Sequence, residues 1–113
     1  MHELSITMNV LNIVEENART LNAKTVHEIE MDVGELSGVD IDALQFAMQC
    51  TSKSEISESA LLVINKIPAK ARCKVCNHEF DISDFYASCP ECNSFDINIF
   101  QGKELKVKSI KID

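Results

Sequence analysis

Two cysteine pairs constrain this chain more than any other feature. Cys73-x-x-Cys76 is followed, after twelve residues, by Cys89-x-x-Cys92. Two residues between cysteines let a tight turn aim both thiolates at one point. Two such turns facing each other complete a tetrahedron, the geometry that zinc prefers. Pro90, inside the second pair, suits a tight turn. So short a segment buries little apolar surface, and metal binding must hold it together. A structural zinc contributes about 10–16 kcal/mol in small peptides. Four thiolates fill the coordination shell, so a closed site of this kind has no open position for catalysis. A disulfide pair, or a rubredoxin-like iron site, uses the same four residues. Zinc is the expected occupant.

The remaining sequence reads as α+β. Leu4, Met8, Leu11, Val14, Ala18 and Leu21 recur at three- and four-residue steps, which predicts a helix over residues 4–22. His27 to Val33 alternates strictly, as a half-buried strand with Ile29, Met31 and Val33 inward. Gly34 and Gly38 bracket a turn. Asp40 is placed to cap a second helix with Ile41, Leu44, Ala47 and Met48 on its apolar face. Residues 51–59, rich in Ser, Glu and Lys, read as a connection. Leu61 to Ile67 forms a second strand, closed by Pro68, and Leu105 to Ile112 a C-terminal one. The last alternation slips near Ser109, which suggests a bulge. The cysteine segment interrupts this pattern. The expected organisation is a small sheet packed with two helices, over residues 1–67 and 101–113. A zinc-ribbon-like domain is inserted at residues 68–100.

Composition narrows the function classes. With 113 residues and a formal net charge of -7, the chain is one acidic domain with a small insert. Nucleic acids and anionic membranes call for a basic footprint, so neither is an expected partner. No apolar run is long enough to span a bilayer, and the start lacks the pattern of a signal peptide. A cytoplasmic location is therefore expected, and there clustered cysteines serve as metal ligands rather than disulfides. Of the fifth cysteine, Cys50, a buried, packed position on the second helix is expected. His78 reads as a turn residue, or as an alternative metal ligand. No nucleophile–base pairing or phosphate-binding loop is evident, so the chain is not expected to be an enzyme.

The N-terminus holds a second candidate metal site. The α-amine of Met1, the backbone nitrogen of His2 and an imidazole nitrogen of His2 can chelate one ion through fused rings. Nickel(II) and copper(II) both favour such nitrogen-rich sites. Glu3 can add an oxygen ligand or orient the imidazole. The alternative is a solvated N-terminus without a metal.

The start Met1-His2-Glu3-Leu4-Ser5-Ile6, the segment Val33-Gly34-Glu35-Leu36, the cysteine quartet and the closing Gly102-Lys103-Glu104-Leu105-Lys106-Val107 occur in one order across the whole chain. In this it resembles the HypA/HybF family of hydrogenase nickel-incorporation proteins. The resemblance implies a nickel metallochaperone with Ni(II) carried at Met1, His2 and Glu3. It also implies a structural Zn(II) on Cys73, Cys76, Cys89 and Cys92. Expected partners are a GTPase accessory protein and the hydrogenase large subunit. In some bacteria the family also serves urease and its maturation proteins. The expected state is a monomer or a homodimer. Some members carry a histidine shortly after the fourth cysteine, where this chain has Asn93, Ser94 and Phe95. A zinc ribbon that binds other proteins, without a nickel role, is the competing reading.

Overall fold

The computed structural model describes residues 3–51 and 55–113. The fold is α+β, with two helices and two three-stranded sheets among the described residues. The elements run α1 (Glu3–Thr20), β1 (Val26–Gly34), α2 (Ile41–Cys50), β2 (Leu61–Ile67), β3 (Lys70–Cys73), β4 (Glu79–Asp81), β5 (Ile97–Gln101) and β6 (Leu105–Ile112). One sheet has the order β2-β1-β6 and the other β4-β3-β5. The chain divides into two compact units. The first comprises Met1–Asp32, Val39–Asn65 and Lys106–Asp113; the second comprises Val33–Gly38 and Lys66–Leu105.

In the first unit, α1 buries Thr7, Val10, Leu11, Val14 and Ala18. Three residues of the predicted apolar stripe lie elsewhere: Leu4, Met8 and Leu21 are all more than half exposed. Met8 sits about 100° round the helix from the Val14–Ala18 line, at 3.6 residues per turn. Leu21 lies beyond the last helical residue. The inward place goes to Thr7, whose hydroxyl donates to the Glu3 carbonyl and so is satisfied without solvent. Asn22 ends the helix. Its φ is 56°, its N–H donates to Arg19 O, and the Ala23 N–H reaches back to Ala18 O, the double bond of a Schellman turn.

Strand β1 buries Val26, Ile29 and Met31, the last two as the alternation requires. Helix α2 adds Leu44, Ala47 and Met48. Asp40 caps it, accepting from the Ala43 N–H through Oδ1 at 3.2 Å. Cys50, expected to be buried, is exposed. It is the last residue of α2, and the buried line through Leu44, Ala47 and Met48 turns away from it. In the following connection Ser57 is fully buried and donates to the Glu15 carboxylate on α1. This polar contact ties the connection to the helix.

The outer face of β1 is wet. Glu30 accepts from Asn65 and Ser109 and lies near Lys108, while Glu28 pairs with Lys111. The burial of β6 changes phase at Lys108 and Ser109, both exposed. Thr25 O accepts from the Asp113 N–H, and the Gly34 N–H donates to Glu104 O. The two bonds are equally spaced along both strands, so β6 gains no net residue. The phase change is met by one in β1, where Val26 and Ile29 are both buried. The expected slip is therefore present as a change of burial phase in both strands, with no net residue inserted between the two bonds.

The second unit holds the β4-β3-β5 sheet. Strand β3 pairs antiparallel with both neighbours, Ala71 facing Phe80 on one side and Ile99 on the other. Ala69, Ala71 and Ile82 form a small buried cluster, packed by Leu36, Phe80, Ala87, Ile97 and Ile99. The unit therefore has an apolar layer of its own beside its cysteines.

Candidate metal centre

The sheet of the second unit delivers the cysteines. Cys73 is the last residue of β3. The chain then turns through Cys76 and Asn77 and returns as β4. The turn closes when the Asn77 N–H donates to Cys73 O at 3.0 Å and the Cys73 N–H to His78 O at 2.9 Å. The second turn repeats these contacts. The Asn93 N–H donates to Cys89 O, and the Cys89 N–H to Ser94 O, both at 2.8 Å. Two copies of one turn thus present four sulfurs to a common point.

The Sγ atoms of Cys73, Cys76, Cys89 and Cys92 all lie within 4.8 Å of one another. Cys73 and Cys92 are 3.5 Å apart, and Cys76 and Cys89 3.6 Å. A tetrahedron with Zn–S bonds of about 2.3 Å has edges near 3.8 Å. A disulfide requires about 2.05 Å, and all five cysteines are free. Cys73 and Cys89 are buried, while Cys76 and Cys92 are exposed. The quartet fits a structural zinc.

The four thiols are not equivalent. Cys73 is lowered to about 7, first by the Cys76 N–H and, against the cost of burial, also by the Val75 N–H. These donors lie 3.4 and 3.3 Å from its sulfur. The largest single influence on Cys76 is the His78 N–H, which lowers it. Desolvation and the neighbouring thiols outweigh that and carry it up to about 12. Cys92 is raised in the same way, against the lowering effect of the Ser94 N–H. Four thiols this close resist losing a second proton. A dication reverses the balance, because it stabilises all four thiolates together.

His78 stays outside this cluster among the described residues. Its ring stacks on Phe80 with centroids 6.0 Å apart, and its Nε2 lies 4.0 Å from a Glu91 oxygen. Phe85, Tyr86, Phe95 and Phe100 are exposed in the same unit. Arg72 lies over Phe100, yet it also pairs with Glu79, and Lys74 pairs with Asp96. The surface is aromatic but charge-balanced, without the basic footprint of a nucleic-acid interface.

Of the N-terminal candidates, Met1 and His2 lie outside the described residues. Glu3 opens α1, and its Oε2 accepts from the Asp40 N–H at 3.3 Å. The Glu3 carboxylate thereby lies beside the N-cap of α2. Asp40 reads from sequence only as a cap; that it stands beside Glu3 is visible only in the fold. His27 lies 3.7 Å from an Asp113 oxygen. No described helix is long and apolar enough to cross a membrane.

Comparison with known proteins agrees with this arrangement. Residues 1–112 match the family model described as hydrogenase/urease nickel incorporation, metallochaperone, HypA. The hydrogenase maturation factor HypA of Chlorobaculum parvum is 42% identical over 113 residues, all of both chains. That of Parabacteroides distasonis is 39% identical over 112 residues, 99% of this chain and 97% of its own. The solution structure of the Ni metallochaperone HypA from Helicobacter pylori superposes with a TM-score of 0.69 at 27% identity. It covers 99% of this chain and 97% of its own. This chain belongs to the HypA family of hydrogenase/urease nickel-incorporation metallochaperones.

Proposed function

We propose that this chain carries Ni(II) at its N-terminus and hands it to the machinery that matures nickel-iron hydrogenase. A resident Zn(II) on Cys73, Cys76, Cys89 and Cys92 holds the second unit together. The observation that carries this reading is the match to the nickel-incorporation family over residues 1–112, with the four sulfurs converged. Met1, His2 and Glu3 supply the nickel ligands. A carrier that must hand its ion on releases it by ligand exchange, and binding through a deprotonated amide makes affinity rise with pH. The contact of Glu3 with the cap of α2 keeps its carboxylate at the start of α1, next to the N-terminal residues in the chain.

A carrier needs moderate affinity and a release route, not a nucleophile or a base, so we assign no catalytic residue. The partners of this reading are a GTPase accessory protein and the hydrogenase large subunit, with urease as a second client. The net charge of -7 suits a basic patch on such a partner. Four unoxidised cysteines fit a reducing compartment such as the cytoplasm.

The test is a calorimetric titration of zinc-loaded protein with nickel near neutral pH, wild type against His2→Ala. One nickel bound by wild type and none by a folded variant is the expected result. Unchanged affinity in His2→Ala would remove the N-terminus from the site.

A further inference from the structure

Strand β6 forms one wall of a groove in the first unit, about 340 Å3 in volume, and helix α1 forms the other. The strand contributes four successive residues, Val107 to Ile110. Side chains of a strand alternate between its two faces, so four in a row line one groove only where it runs along the backbone edge. The sheet order β2-β1-β6 leaves that edge without a neighbouring strand among the described residues. An edge of this kind presents main-chain N–H and C=O groups to any strand that comes beside it.

The two sides of the edge differ in chemistry. On the helix side, Ile13 and Leu21 line the groove and are both more than half exposed. On the wet side, β6 carries Lys106, Lys108 and Lys111, all exposed, and no carboxylate, in a chain whose net charge is -7. Lys108 lies 3.6 Å from Glu30 of β1, and Lys111 lies 3.1 Å from Glu28. Lys106 has no ion pair among the described residues. The sign of charge thus alternates across the sheet, carboxylates on β1 and ammonium groups on β6. A strand that continues this order carries carboxylates on the wet face and apolar side chains on the face toward α1.

We propose that the β6 edge is a docking site for an extended acidic segment of a partner protein, added to the sheet beside β6, with carboxylates against Lys106, Lys108 and Lys111 and apolar side chains against Ile13 and Leu21. Main-chain hydrogen bonds give such a strand its affinity, and the alternating side chains give it specificity. A second copy of this chain does not fit. Antiparallel pairing of β6 with itself about its centre sets Lys106 opposite Lys111, and like charges directly opposite are destabilising. The edge strands β2 and β5 carry no carboxylate. Strand β4, Glu79-Phe80-Asp81, has the right alternation but only three residues, and Glu79 already holds Arg72. The surface stands on β6 and α1 alone and is independent of the nickel and zinc readings.

The probe is a synthetic peptide as long as β6 that alternates glutamate and valine. It is titrated into isotope-labelled, full-length, zinc-loaded protein, and amide chemical shifts are followed. The shifts should be confined to β6 and to α1 from Ile13 to the end of the helix. The same peptide with lysine in place of glutamate should bind at least about tenfold more weakly, because three opposite-charge contacts become like-charge ones. Methylation of alternate peptide nitrogens, on the edge that faces β6, should abolish binding, and this control leaves the protein unchanged. A Lys106→Glu, Lys108→Glu double variant should lose the preference for the glutamate peptide. Unchanged shifts, shifts outside β6 and α1, or equal binding of the two peptides would overturn the proposal. A β6 that shifts with protein concentration alone, with a doubled mass in sedimentation, would assign the edge to a second copy and overturn it as well.

Discussion

Gly34→Ala tests the packing of the second unit at its tightest point. Gly34 ends β1 and donates to Glu104 O at 2.7 Å. A Cβ built there would lie 2.1 Å from Gly102 O, 2.2 Å from Gly102 C and 2.7 Å from Glu104 N. All three are backbone atoms, so no side chain can rotate away. Gly102 cannot retreat freely, because its own Cα side faces Ala69: a Cβ on it would lie 2.5 Å from Ala69 Cα. Overpacking of this kind costs about 1–3 kcal/mol and occasionally more, and immovable neighbours put this site at the top of that range. Gly→Ala returns about 0.4–1 kcal/mol by restricting the unfolded chain. The net loss should be about 2–3 kcal/mol out of a total of about 5–15. Thermal unfolding of metal-loaded protein should then show a midpoint lowered by about 8–15 °C. Gly38→Ala is the control. Its φ is 79°, but no atom lies within 4 Å of the added Cβ, so only the backbone cost of about 1–2 kcal/mol applies. A Gly34→Ala protein that melts with wild type, or no lower than Gly38→Ala, would refute the close-approach account.

Leu44→Ala should cost about 2–5 kcal/mol in urea denaturation, since Leu44 is fully buried on α2; a loss under about 1 kcal/mol would place it outside the core. Cys73→Ala should lose stoichiometric zinc, and chelation should abolish amide-exchange protection in β3, β4 and β5 while helical circular dichroism persists. Zinc retained at one equivalent in Cys73→Ala would show that the ligand set is wrong. The Glu30 carboxyl is held below its ordinary value of 4.5, chiefly by the Asn65 amide and then by Ser109, with Lys108 adding to them. A depressed carboxyl contributes stability above its unfolded value and loses it as pH falls through the folded one. Glu30→Gln should therefore flatten the acid limb of the stability profile below about pH 4.5, the ordinary carboxyl value; an unchanged acid limb would contradict that.

Some elements are legible because their cause is local. Alternating residues with a closing proline define β2 as Leu61–Ile67, and alternation defines β6 as Leu105–Ile112. The Asp40 cap is a short-range bond between a side chain and an amide three residues on. The first helix shows where such reasoning stops. Leu11, Val14 and Ala18 of the expected stripe are buried, but the fold leaves Leu4 and Met8 outside and takes Thr7 and Val10 inward in their place. Cys50 is exposed for the same reason: a residue type gives a tendency, and the neighbouring element decides which side of a helix is covered.

The sequence by itself determined the four-cysteine cluster and the family, because ligand spacing and the order of motifs survive in one dimension. Two Cys-x-x-Cys turns present thiolates wherever they fold, and the Met1-His2-Glu3 start is read directly. Only the tertiary structure decided that Gly34 is a point of close approach to Gly102 and that Glu3 leans on the cap of α2. It alone decided that Cys73 and Cys89 are buried while Cys76 and Cys92 face solvent. Each of these joins residues far apart in the chain, and distance in space between such residues follows from packing rather than from any periodicity a sequence displays.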